Sequence, residues 1–145
     1  MRFFFVSLLL LLICLSNGCQ QYSTGLQQGA TRADETSAIA TMRTIAQAQM
    51  TYTISNSGQY ATFEELVGNG LLDSRFNHSN PEYHGYVFTM NVTAPSDGTG
   101  SYTCNADPGQ TAPHGGRHFY IDSESRDIRV NPTQPATNKD QILRP

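Results

Sequence analysis

The sequence predicts an α+β domain, with one long N-terminal helix packed on a small antiparallel sheet of about four strands. Two observations carry this expectation. Residues 33–52 hold a helical period without Gly or Pro, and apolar side chains recur at Ala38, Ile39, Met42, Ile45, Ala46, Met50 and Tyr52. Steps of three and four residues draw a stripe down one helix face. After that stretch the chain breaks into short alternating segments bounded by Gly, Ser, Asn and Asp, which read as strands and turns that need such a stripe to pack on.

At 145 residues the chain is long enough for one domain with appendages. Only 38% of it is hydrophobic and 14% charged, so the core is modest. Formal charge is −3, and of nine basic residues only Lys139 is a lysine. No basic cluster exists, so a nucleic-acid partner has little electrostatic support.

Met1-Arg2 precedes thirteen positions, Phe3 to Leu15, that are apolar except for Ser7. A spanning helix needs roughly 20 such residues, so the run fits the hydrophobic region of a signal peptide over residues 1–18. Ser16-Asn17-Gly18-Cys19 follows and resembles a bacterial lipoprotein signal. That resemblance implies cleavage before Cys19 and its acylation, with the membrane as partner through the lipid. Ser16 departs from the branched apolar residue usual at its position. Acyl chains contribute roughly 0.8 kcal/mol per buried CH₂, enough to anchor the protein. The same resemblance implies, with Gln20 and not Asp after the Cys, the outer membrane of the cell envelope. With Cys14 removed and Cys19 lipidated, only Cys104 remains of the three cysteines, and it has no internal disulfide partner.

Residues 19–33 read as a lipid-anchored flexible tether, polar and without period, spanning ~20 Å as a random coil. Thr31 with Asp34 suggests a weak cap, Asp34 and Glu35 place negative charge in the first turn, and Ser55-Asn56-Ser57-Gly58 ends the helix near Ile54. Thr62 to Val67 suits a short helix with Thr62 as N-cap and Glu65 three residues on. Leu66, Leu71 and Leu72 are expected under the sheet, and residues 75–84 as loop. Four strands are expected, at 85–92, 101–106, 117–122 and 127–130. The first buries Tyr86, Phe88, Met90 and Val92, and the second Tyr102, Cys104 and Ala106. Short turns, among them residues 96–100, make the sheet an antiparallel meander. Residues 131–145, with three Pro, read as a flexible tail.

Asp34, Glu35, Ser37, Ala38, Ile39, Met42, Arg43, Thr44, Ile45, Ala48, Gln49 and Tyr52 resemble the helix of type IV pilin-like and pseudopilin-like proteins. Later motifs agree in order: Gly58-Gln59-Tyr60 with Leu66, Gly85-Tyr86-Val87-Phe88-Thr89, then Gly116-Arg117-His118-Phe119-Tyr120-Ile121-Asp122 with Asp127-Ile128-Arg129. The resemblance covers residues 34–130 and implies a pilin-like head. Pilins also carry a Gly-Phe cleavage site, a Glu five residues into the mature chain, and an apolar half-helix that packs the filament core. Here a lipoprotein-like signal and a polar tether stand in their place, which removes the physical basis for ordinary polymerisation. The resemblance therefore implies a non-polymerising structural or interaction module and no enzyme, with proteins of a pilus or type II secretion-like apparatus as partners.

An alternative from another class is a small ligand- or metal-binding envelope lipoprotein. Its weak metal candidates are His114 and His118, four apart on a Gly-Gly loop, and Asp122, Glu124 and Asp127, crowded on one hairpin where Ca²⁺ takes oxygen ligands. Solvated loop histidines and ordinary turn propensity explain the same residues. No nucleophile elbow supports a catalytic group, and no cofactor is expected.

Overall fold

In a computed structural model of the chain, described for residues 2–94, 100–110, 112 and 116–144 with side chains from residue 26 onward, a single long helix carries an α+β head. Helix α1 spans Arg2–Ser55. Its buried positions are Glu35, Ala38, Met42, Ile45, Ala48 and Gln49, with Ile39 and Ala46 half-buried beside them. The stripe therefore faces the head's own sheet. The helix ends where the sequence signals it. Ser57 and Gly58 both take positive φ, at 54° and 80°, and the Gly58 N–H donates to the Thr53 carbonyl at 3.0 Å.

The start of α1 differs from expectation. The helix runs through the segment read as a tether, and Thr31 does not cap: its hydroxyl donates to the Gln27 carbonyl at 3.1 Å, within a continuing helix. Gln, Leu, Ala and Arg there are sound helix formers. A glycine such as Gly29 costs about 1 kcal/mol, which a helix already nucleated on the head absorbs. Among the described residues no helix is long and apolar enough to cross a membrane.

Helix α2, Phe63–Gly68, has the expected capping box. The Glu65 N–H donates to Thr62 Oγ1 at 3.3 Å, and the Thr62 N–H donates to Glu65 Oε2 at 2.8 Å. Phe63 and Leu66 point inward. A 3₁₀ turn at Ser74–Phe76 then inserts Phe76 into the core, edge-on to Phe88 at a centroid distance of 5.9 Å.

The sheet has six antiparallel strands in sequence order, not about four: β1 Glu82–Tyr83, β2 Tyr86–Thr93, β3 Ser101–Pro108, β4 His118–Asp122, β5 Arg129–Asn131 and β6 Gln141–Ile142. Strands β1 and β6 are the additions, each two residues long, too short to show an alternating pattern. Strand β1 forms because His84 and Gly85 both adopt left-handed φ, 48° and 72°, as a tight two-residue hairpin requires. In β2 and β3 the expected faces are correct. Tyr86, Phe88, Tyr102, Cys104 and Ala106 are buried, and Met90 and Val92 half-buried. The turn expected at residues 96–100 lies almost wholly outside the described residues.

The flexible tail is corrected outright, since residues 131–144 close the sheet. Asp140 gathers the segment, with Oδ1 accepting from Asn131 Nδ2 at 2.8 Å and Oδ2 from the Thr137 N–H at 2.7 Å. Its carbonyl accepts from Arg129 Nη1 at 2.9 Å, and the Leu143 N–H donates to the Ile128 carbonyl at 2.7 Å. Asn105 Nδ2 holds the carbonyl of the buried Ala136 at 2.8 Å. Asn105 pairs with Tyr120 in the β3–β4 register, so the tail covers the sheet face opposite α1. Strand β4 is accordingly buried on both faces, from Phe119 to Asp122.

Candidate functional site

The clearest polar construction joins α1 to the sheet where the helix leaves the head. Glu35 is 8% exposed, and its carboxylate takes three hydrogen bonds from one residue. The Arg117 N–H donates to Oε1 at 2.9 Å, while Nε and Nη2 donate to Oε2 at 3.1 and 2.8 Å. Two guanidinium donors converge on one carboxylate oxygen and the backbone donor holds the other, so charge-assisted hydrogen bonds fix both oxygens. Tyr86 completes the latch, its hydroxyl donating to the Arg117 carbonyl at 2.9 Å. Gly116 makes room for it, because a Cβ at that position would collide with the Tyr86 hydroxyl. Glu35 and Arg117 stand 82 residues apart, so local pattern could not reveal the pair.

Burial pushes the Glu35 carboxyl up, but the hydrogen bonds and charge of Arg117 outweigh it and hold the pKa below the ordinary 4.5. A carboxylate depressed on folding stabilises the head above its unfolded pKa, and that contribution is lost as pH falls through the folded value. Wild type should therefore lose more stability than Glu35→Gln on acidification from pH 4.5 downward, as followed by urea denaturation at several pH values. The other depressed carboxylates, Asp122 and Asp140 among them, remain in both proteins and cancel. The differential is reduced by solvent screening, because the Arg117 side chain is 43% exposed.

An open groove of about 820 Å³ flanks this latch, lined by Gln27, Gln28, Thr31, Arg32 and Thr36 of α1 together with Glu35, Ile39 and Arg117. Its floor is the ion pair and its rim is amide, hydroxyl and guanidinium. Both Glu35 oxygens accept from Arg117, and the Thr31 and Thr36 hydroxyls donate to carbonyls of their own helix, so the groove presents the Gln27 and Gln28 amides, donors and acceptors alike, and the charge of Arg32.

The sequence-derived candidates do not converge. His118 Nδ1 lies 2.5 Å from Asp107 Oδ1, a partner that residue spacing did not suggest. His114 lies outside the described residues, and nothing is described of the Cys19 side chain. Asp122 is 6% exposed, and its Oδ1 accepts from the N–H groups of Glu124 and Ser125 and from the Ser125 hydroxyl, so it organises its own turn. Glu124 and Asp127 are exposed on that turn. Among the described residues no group of three His, Cys, Asp or Glu side chains is placed to hold a metal ion. Cys104 is fully buried, its thiol pushed up to about 12 by burial, and it packs as a small apolar side chain.

No protein-family model matches the chain, and comparison with curated proteins and with solved structures gives no significant match.

Proposed function

We propose that the chain is a lipid-anchored envelope protein whose pilin-like head acts as a non-polymerising structural and interaction module. In this reading acylated Cys19 holds the protein on the membrane, on the outer membrane given Gln20. The partners are proteins of a type IV pilus or type II secretion-like apparatus. The ordered motif match over residues 34–130 supports the pilin likeness.

The observation that carries the module reading is the way α1 leaves the head. Residues 26–30 are exposed along the helix, whereas the buried stripe begins at Glu35. The head thus sits at the C-terminal end of a helix that projects toward the proposed anchor, with the groove beside Glu35 and Arg117 at the junction.

Metabolic labelling with palmitate tests the anchor. Wild type should incorporate label and fractionate with membranes, and Cys19→Ser should lose both properties completely. Label retained by Cys19→Ser would sink the anchor, and recovery of the protein as a regular filament subunit would sink the non-polymerising reading.

A further inference from the structure

Near the opposite end of the head, a pocket of about 160 Å³ opens between the last turns of α1 and the turn that follows β4. Its lining includes Met50, Tyr60, Tyr102, Ser123 and Arg126. Tyr102 is 2% exposed, and its hydroxyl finds no hydrogen-bond partner among the described residues. A buried hydroxyl left unpaired is destabilising, and such groups in native proteins are few.

Arg126 is the second unusual feature. It holds a φ of 57°, a left-handed conformation that non-glycine residues adopt at a cost. Its guanidinium makes only a long contact, Nη1 to Met50 Sδ at 3.8 Å, and it joins no ion pair among the described residues. Ser123 Oγ accepts from the Tyr102 N–H at 3.4 Å and keeps its own proton to donate. Among the described residues no carboxylate lines the pocket. The nearby Asp122 is engaged by its own turn through Oδ1.

We infer that this pocket binds a carboxylate, with Arg126 supplying charge and the hydroxyls of Tyr102 and Ser123 supplying hydrogen bonds. The shared chemistry fits two sources, a small free acid or the C-terminus of a peptide. Met50 and Ile54, 46% and 78% exposed on the adjoining helix face, offer apolar contact to a peptide's last side chain.

The test is a titration of the full-length chain followed by NMR. Acetate is added first, then a short apolar peptide as the free acid, then the same peptide amidated. Saturable shifts of the Arg126 Nε–H and Tyr102 ring resonances are expected. Tyr102→Phe, which keeps the ring, and Arg126→Asn, which suits the left-handed backbone, should each weaken acetate binding by about tenfold. Peptide acid binding more tightly than acetate, with the amide inert, assigns a peptide C-terminus; equal affinity assigns a free acid. Non-saturating shifts, or shifts unchanged in both variants, overturn the site. So does a Tyr102→Phe protein that is more stable than wild type yet binds acetate equally, because the hydroxyl is then only an orphan.

Discussion

Replacing Gln49 with leucine should destabilise the head by roughly 2–6 kcal/mol, since it strands two buried backbone groups at about 1–3 kcal/mol each. Gln49 is 0% exposed and clamps the backbone of Ala61, which is also fully buried. Its Nε2 donates to the Ala61 carbonyl at 2.6 Å, and its Oε1 accepts from the Ala61 N–H at 3.0 Å. Ala61 lies in the irregular link between α1 and α2, where neither helix nor strand pairs its amide groups. Leucine has similar bulk and fills the space without the partners. Gln49→Glu should be comparably damaging. Its carboxylate still accepts from the Ala61 N–H but faces the Ala61 carbonyl oxygen, with a charge buried besides. Urea denaturation reads the loss as a lower midpoint at unchanged slope. A Gln49→Leu protein within about 0.5 kcal/mol of wild type would refute the clamp, since that is the scale of an ordinary surface substitution such as Gln47→Leu.

That residue also marks where the sequence stopped being legible. The helix stripe was readable at Ala38, Met42 and Ile45 because apolar burial leaves a 3.6-residue period. Continuing the period through apolar residues selects Met50, yet Met50 is 46% exposed and Gln49 takes the inward position. A polar side chain is buried there because its partner is a backbone segment, and hydrophobic pattern carries no record of that. The same limit hid the Glu35–Arg117 latch, whose members are joined only by tertiary folding. It also hid the tail. Pro, Asn and Thr in residues 131–144 resemble disorder in composition, but Asn131, Thr137 and Asp140 fold the segment through hydrogen bonds while Ala136 is its buried apolar contact. Strands β2 and β3 were legible because each is eight residues long, with one face on the core.

Truncating Met42 to alanine should cost about 2–5 kcal/mol, the range for removing a large buried side chain and leaving a cavity. Met42 is 0% exposed and stands mid-stripe between Ala38 and Ile45, both in the same core cluster as Phe88 and Phe119. The neighbouring Arg43→Ala, on the exposed face, should change stability by no more than about 0.5 kcal/mol. Met42 and Gln49 lie two helical turns apart, about 10 Å, so their losses should add to within about 0.5 kcal/mol. Domain stabilities of about 5–15 kcal/mol leave little after such a sum, and the double variant should populate unfolded head at ambient temperature. α1 supplies one face of the core and, in the proposed reading, the head's connection to the anchor, so loosening its stripe should expose the head to limited proteolysis while palmitate labelling at Cys19 persists. Loss of label together with the head would mean that anchoring depends on the folded domain, contrary to the proposed division between anchor and module.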